Sequence, residues 1–112
     1  NLIIASDINN IKAKLIVEGS NIPIEPAVEE LLHKKDVLII PDIVANAGGV
    51  ISSYVEYIDG TPKQMFEMVR KKIRNNVQLV LKDAESNGHS PRDVAMLIAK
   101  KRVRAKCKTC RL

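Results

Sequence analysis

Lys14-Leu15-Ile16-Val17-Glu18-Gly19-Ser20-Asn21 is an apolar run stopped by glycine and small polar residues, and Val37-Leu38-Ile39-Ile40-Pro41-Asp42 repeats the pattern. Neither run alternates apolar with polar residues. Continuous β-branched runs of this kind are typical of strands in a parallel sheet with both faces covered. Between them, Pro26 to Lys35 reads as a helix: proline in the first turn, Glu29 and Glu30 early, His33-Lys34-Lys35 at the end. Ala27, Val28, Leu31 and Leu32 form its apolar stripe. Strand, helix and strand in so short a space make a βαβ unit, whose strands run parallel through a right-handed crossover.

Upstream, Ile4, Ile8 and Ile11 stand at helical spacing and predict a helix over 3–11, since Asp7-Ile8-Asn9-Asn10 is poor strand material. Downstream, Ile51, Tyr54, Val55 and Ile58 predict a helix over 49–58, ended by Asp59-Gly60. Pro62 opens a long helix to Ser86 with Met65, Phe66, Val69, Ile73, Val77, Val80, Leu81 and Ala84 on one stripe, and Asn87-Gly88 stops it. Ser90-Pro91-Arg92-Asp93 has the form of a capping box, and the helix it opens carries Val94, Leu97 and Ile98. Two strands are too few for a self-standing parallel sheet. The expected fold is α/β: the C-terminal part of a Rossmann-like doubly wound parallel sheet followed by two or three terminal helices. Residues 1–60 would form the βαβ portion, 61–106 the C-terminal helices and 107–112 a frayed tail. Asn1 in place of an initiator Met points to an excised or processed piece.

The chain has 112 residues, 46% hydrophobic and 28% charged, which excludes a disordered or fibrous chain and gives material for one core rather than two. No apolar run approaches the ~18 residues of a membrane span, and the expected setting is cytoplasmic. Charge is uneven. Residues 1–60 hold 4 basic against 9 acidic side chains, and residues 61–112 hold 14 basic against 4 acidic. That basic half raises an alternative, a helical module binding nucleic acid or a partner protein. Aromatic residues are only 3% of the chain and none follows Phe66, so nucleic-acid bases would find no stacking platform there.

In open parallel sheets, ligands bind beyond the carboxyl ends of the strands. Two segments fall there: Glu18-Gly19-Ser20-Asn21, and Pro41 through Val50 with the sequence PDIVANAGGV. Asn21 and Asn46 offer amides that both donate and accept, suited to a carboxamide or a ribose. Gly48 and Gly49 would let a ligand approach the backbone at a helix start, with Ser52 and Ser53 adding hydroxyls. The same residues also serve as ordinary turn residues joining strands to helices.

These motifs, with Ser53-Tyr54 and Glu56, resemble the C-terminal part of glutamate dehydrogenases, within the broader glutamate/leucine/phenylalanine/valine dehydrogenase family. That family shows a KAKLIVEGAN-like strand, a PDxxANAGGV loop and an SYFEW-like helix. Val50 and Ser53-Tyr54 fit the glutamate branch better than the leucine or phenylalanine branches. The resemblance implies an NAD- or NADP-dependent enzyme that reversibly deaminates L-glutamate to 2-oxoglutarate and ammonia, working as a homo-oligomer. By the same resemblance, Asn21 lies near the nicotinamide ribose and Asn46 near the nicotinamide carboxamide. Gly49, Val50 and Ser53 line the substrate pocket, the serine hydroxyl meeting the side-chain carboxylate. The family's catalytic lysine and aspartate and its glycine-rich pyrophosphate turn have no counterpart in this chain, so no catalytic residue is assigned and no activity is expected of it alone. Ile22-Pro23-Ile24-Glu25-Pro26 departs from the family's GPTTP-like loop, placing an apolar residue and an acid where smaller polar groups are usual.

Other signals have plainer readings. Cys107-Lys108-Thr109-Cys110 has the spacing of half a zinc site or a redox pair, yet only His33 and His89 could complete a metal site, so no metal is assigned. The basic runs at 70–72 and 100–106 fit solvated helix faces. Asp42 and Glu56 either polarise a substrate site or, for Asp42, cap a turn.

Overall fold

The computed structural model describes residues 2–107, 109 and 110. Strand β1 (Leu15–Val17) pairs in parallel with β2 (Leu38–Ile40), in the register Leu15 to Leu38, Ile16 to Ile39 and Val17 to Ile40. The crossover is α1 (Pro26–Lys34). After β2 come a single turn of helix, α2 (Asp42–Ala45), and then α3 (Gly48–Tyr57), α4 (Pro62–Asn87) and α5 (Pro91–Lys106). The βαβ unit and the long helices stand where the apolar patterns put them, whereas α2 lies in a segment expected to be loop.

Helix ends follow local chemistry. Thr61 caps α4: its hydroxyl accepts the Gln64 N–H at 3.3 Å, and the Gln64 side chain accepts the Thr61 N–H at 2.8 Å. Gly88 closes α4 at φ +67°, a left-handed conformation that costs glycine little. Asp36 and Asp59 take the same role after α1 and α3 at φ +59° and +54°. The N–H of the next residue then bonds back into the helix, Val37 to Leu32 at 3.1 Å and Gly60 to Val55 at 2.8 Å. Ser90 caps α5 by accepting the Asp93 N–H, with its own hydroxyl on the Asp93 carboxylate at 2.8 Å.

The helix expected over 3–11 does not form. One 3-10 turn covers Ala5–Asp7, where the Asp7 carboxylate accepts the Ile4 N–H at 3.0 Å. Ahead of it, the Leu2 and Ile3 N–H groups both reach the Pro23 carbonyl, and Ile3 bridges Ile24 in parallel. Pairing with a distant loop competes successfully with helical spacing here, and only Ile8 of the three isoleucines is fully buried. The expectation of strands covered on both faces also fails for β1, where Leu15 and Val17 are 53% and 59% exposed.

Buried side chains form two clusters rather than one core. Ile8, Ile24, Val28, Leu32, Val37 and Ile39 pack between α1 and the sheet. Val44, Val80, Ala84, Val94 and Ala95 pack α2, α4 and α5 together. The long stripe of α4 is fully buried only toward its C-terminal end, at Val80 and Ala84; Met65, Val69, Ile73 and Val77 are half-buried, and Phe66 stays exposed, as does Leu97 of α5. The radius of gyration is 15.7 Å, larger than the about 13 Å of a compact chain this long, and α3 packs against α4 as an arm. Cys107 and Cys110, expected in a loose tail, are joined as a disulfide; Lys108, Arg111 and Leu112 of that tail lie outside the described residues.

Candidate functional site

The parallel ladder runs one step beyond the strands, as the Glu18 N–H donates to the Ile40 carbonyl at 3.1 Å. Both chains then leave the sheet at the same end. The first continues through Gly19 and Ser20 to Asn21. The second winds through the single turn of α2, closed by the Asn46 N–H on the Asp42 carbonyl at 2.9 Å. That turn brings Asn46 back beside Asn21, and the Asn46 amide donates to Asn21 Oδ1 at 2.6 Å. The pair uses one N–H of Asn46 and the carbonyl of Asn21. Each side chain thus keeps the complementary half of its amide, a donor on Asn21 and an acceptor on Asn46.

Helix α3 starts two residues after Asn46, with no side chain capping its first N–H groups. A Cβ on Gly49 would meet nothing within 4 Å, so its backbone faces open space, while one on Gly48 would lie 3.5 Å from Val69 of α4. Gly48 thus serves helix packing as well as the motif. Val50 is 77% exposed, and Ser53 donates its hydroxyl to the Gly49 carbonyl at 3.2 Å. Asn21 and Asn46 meet directly; Gly49, Val50 and Ser53 form one surface on the first turns of α3.

Beneath the amide pair lies a set of charged residues that sequence reasoning did not assemble. Arg92, at the start of α5, spreads its guanidinium over three carboxylates. It bonds Glu18 at 2.6 Å, Asp42 at 3.0 Å, and Glu29 through Nε. Asp42 also accepts the Ile22 N–H at 2.9 Å and the Ile43 N–H at 2.8 Å, and its own N–H donates to Glu18 at 2.8 Å. Asp42 is therefore a buried cap and crosslink rather than a group facing a substrate. Among the described residues, nothing bonds the buried Glu18 Oε1.

The electrostatics follow from three acids sharing one cation. Burial pushes the Glu29 carboxyl above its ordinary range, against the pull of Arg92, and the neighbouring Glu18 and Asp42 charges push the same way. For Asp42, burial also pushes up, but the Ile22 N–H, Arg92 and the Ile43 N–H outweigh it and hold the carboxyl low. Burial alone would weaken the Arg92 proton, yet its acidic partners hold it more firmly than usual.

Glu29 gave the available signal. It sits between Val28 and Leu32 on the buried side of α1, and an acid there needs a cation. Nothing in the spacing identified that cation as a residue 63 positions away. Among the described residues, no group of His, Cys, Asp and Glu is arranged to hold a metal ion, and no helix is long and apolar enough to cross a membrane.

Residues 1–109 match the profile of the Glutamate/Leucine/Phenylalanine/Valine dehydrogenase family. A glutamate dehydrogenase of Aeropyrum pernix is 39% identical over 105 residues, covering 85% of this chain and 25% of that protein. An NADP(+)-dependent glutamate dehydrogenase of Pyrobaculum calidifontis is 34% identical over 116 residues, covering 97% of this chain and 28% of that one. The chain thus spans about a quarter of the length of these curated relatives. Among solved structures, the L-tryptophan dehydrogenase of Nostoc punctiforme superimposes with a TM-score of 0.82 at 27% identity, over 96% of this chain and 32% of that one.

Proposed function

The chain belongs to the Glutamate/Leucine/Phenylalanine/Valine dehydrogenase family, and from that premise we propose that it is the C-terminal stretch of an NAD- or NADP-dependent glutamate dehydrogenase. In this reading the enzyme reversibly converts L-glutamate to 2-oxoglutarate and ammonia in the cytoplasm, as a homo-oligomer. The carrying observation is the Asn21–Asn46 amide pair at the shared carboxyl end of two parallel strands, where open sheets bind their ligands. Its remaining donor and acceptor fit a ribose hydroxyl and a carboxamide, so the residues present suit a nicotinamide cofactor. Such a cofactor, when bound, takes up the hydride released from the glutamate Cα.

Residues 1–60 then supply the last βαβ portion of a Rossmann-like nucleotide-binding sheet, and residues 61–106 the helices packed on it. Asn21 and Asn46 orient the cofactor. Gly49 and Val50 shape the amino-acid pocket with open backbone and a bare apolar side chain, and Ser53 turns its hydroxyl from the Gly49 carbonyl to the substrate carboxylate. The chain supplies no catalytic acid or base, so the reaction requires the rest of the enzyme. The exposed apolar surface of β1, α3 and α4 agrees with an assembly that covers it.

The test is to express the full-length product of the reading frame and follow reduction of NAD⁺ and of NADP⁺ with glutamate, leucine and phenylalanine in turn. Glutamate-dependent reduction is expected with at least one dinucleotide. No turnover with glutamate, together with no dinucleotide binding, overturns the reading.

A further inference from the structure

The reading above leaves unused the guanidinium that joins four segments of the chain. We propose that Arg92 is a positioning residue for the cofactor amides: acting through Asp42 and Glu18, it holds the Glu18–Ile22 loop in the one conformation that sets Asn21 against Asn46. The inference rests on the proposed cofactor role of that pair.

Ile22 sits at φ +47°. A β-branched residue avoids this left-handed region because its Cβ crowds the backbone, so something must hold it there. The hold is the Ile22 N–H bond to Asp42 Oδ2 at 2.9 Å, the loop's tie on its far side. The near side is tied by Glu18, 2% exposed, whose Oε2 receives both the Asp42 N–H and Arg92 Nη2. Arg92 Nη1 bonds the other oxygen of Asp42, and Nε bonds Glu29 of α1. Gly19, Ser20 and Asn21 lie between the two ties and are exposed. The position of Asn21 is thus set by carboxylates that meet on one guanidinium carried by α5.

The chemistry selects arginine. Three donor nitrogens in one rigid plane can serve three carboxylates together, whereas a lysine ammonium is a single point on a flexible stem. Without the fork, Asp42 and Glu18 face each other as buried like charges, and the restraint on Ile22 weakens. Asn46 is set by the α2 turn, which starts at the same Asp42, whereas Gly49, Val50 and Ser53 lie beyond that turn on α3. Loosening the loop therefore reaches the cofactor contacts and spares the substrate surface.

The experiment uses the full-length enzyme and NADH or NADPH, whichever the wild type binds. Dissociation constants come from nucleotide fluorescence, with the glutamate KM measured at saturating cofactor. Arg92→Lys is expected to weaken the reduced dinucleotide about tenfold, the scale of one lost hydrogen bond. The glutamate KM should stay within about twofold of wild type. Adding Ile22→Gly should bring dinucleotide affinity back to within about threefold, because glycine takes φ +47° without being held. A residue with only a structural role would give no such rescue. Asp42→Asn, alone and with Ile22→Gly, asks the same question if Arg92→Lys fails to fold, and the same weakening and rescue are expected. The inference is overturned if folded Arg92→Lys or Asp42→Asn binds dinucleotide like wild type, or if Ile22→Gly restores nothing in either. Wild-type enzyme that binds neither dinucleotide instead overturns the functional reading, and this inference with it.

Discussion

The strand-end region and the α3–α4 arm sit next to each other in the chain but are held by different forces. Around the strand ends, three acids gather on the Arg92 guanidinium, two of them, Glu18 and Asp42, also accept backbone N–H groups, and two apolar clusters flank the set. In the arm, Val55 is the only fully buried residue of α3, while Tyr57 and Phe66 are 85% and 66% exposed. There, geometry depends on caps, a left-handed aspartate and one close backbone approach. Long-range polar contacts thus tie the first region together. The second relies on short-range helix chemistry and leaves its apolar face for something else to cover.

The contrast can be broken most sharply at Arg92. Arg92→Met strands three buried carboxylates and should cost about 3–5 kcal/mol in a denaturant titration; a loss no larger than a surface substitution would mean that the cluster is solvated. Gly60→Ala comes next. A Cβ there would collide with the Val55 side chain and crowd its carbonyl at 3.0 Å, so about 1–3 kcal/mol is expected from overpacking at the α3–α4 corner. Thr61→Ala removes the cap of α4 and should lower stability by about 1 kcal/mol, with fraying of the first turn visible in amide exchange.

Glu29→Gln sharpens the comparison through pH. Burial raises Glu29 above its ordinary 4.5, so its contribution to stability is fully present below that pH and is lost as pH rises through the folded-state value. Asp42 is held below its ordinary 3.8 and runs the other way, its contribution present above 3.8 and lost as pH falls through the folded-state value. The Glu29→Gln variant should therefore gain on wild type as pH rises from 4.5 toward neutrality, read as the difference in melting temperature. A constant difference across that range would refute the assigned direction. The smallest effect belongs to Phe66→Ser, expected within about 0.5 kcal/mol for this chain. A larger loss would show that the arm packs its apolar face within the chain.

Much of the architecture was legible because its signals are local. Ser90, Pro62 and Gly88 act within one turn of where they stand, and two unbroken β-branched runs flanking an amphipathic segment admit few arrangements other than βαβ. Ile4, Ile8 and Ile11 misled for the complementary reason: their spacing is helical, but the backbone of residues 2–3 had a stronger partner in Pro23 and Ile24. The α2 turn was missed because four residues carry too short a pattern to register.

For the candidate site, the sequence by itself determined which amides and glycines follow the two strands, and parallel pairing required both sets to emerge at one end. Only the tertiary structure decided that Asn21 and Asn46 bond each other, that Asp42 turns inward, and that Arg92 is the shared partner of Glu18, Glu29 and Asp42. Periodicity tells which face of an element is buried. The partner of a buried charge depends on which elements the finished packing brings within hydrogen-bond reach, and three acids and one cation spread over 74 residues of separation carry no mark of that in their order.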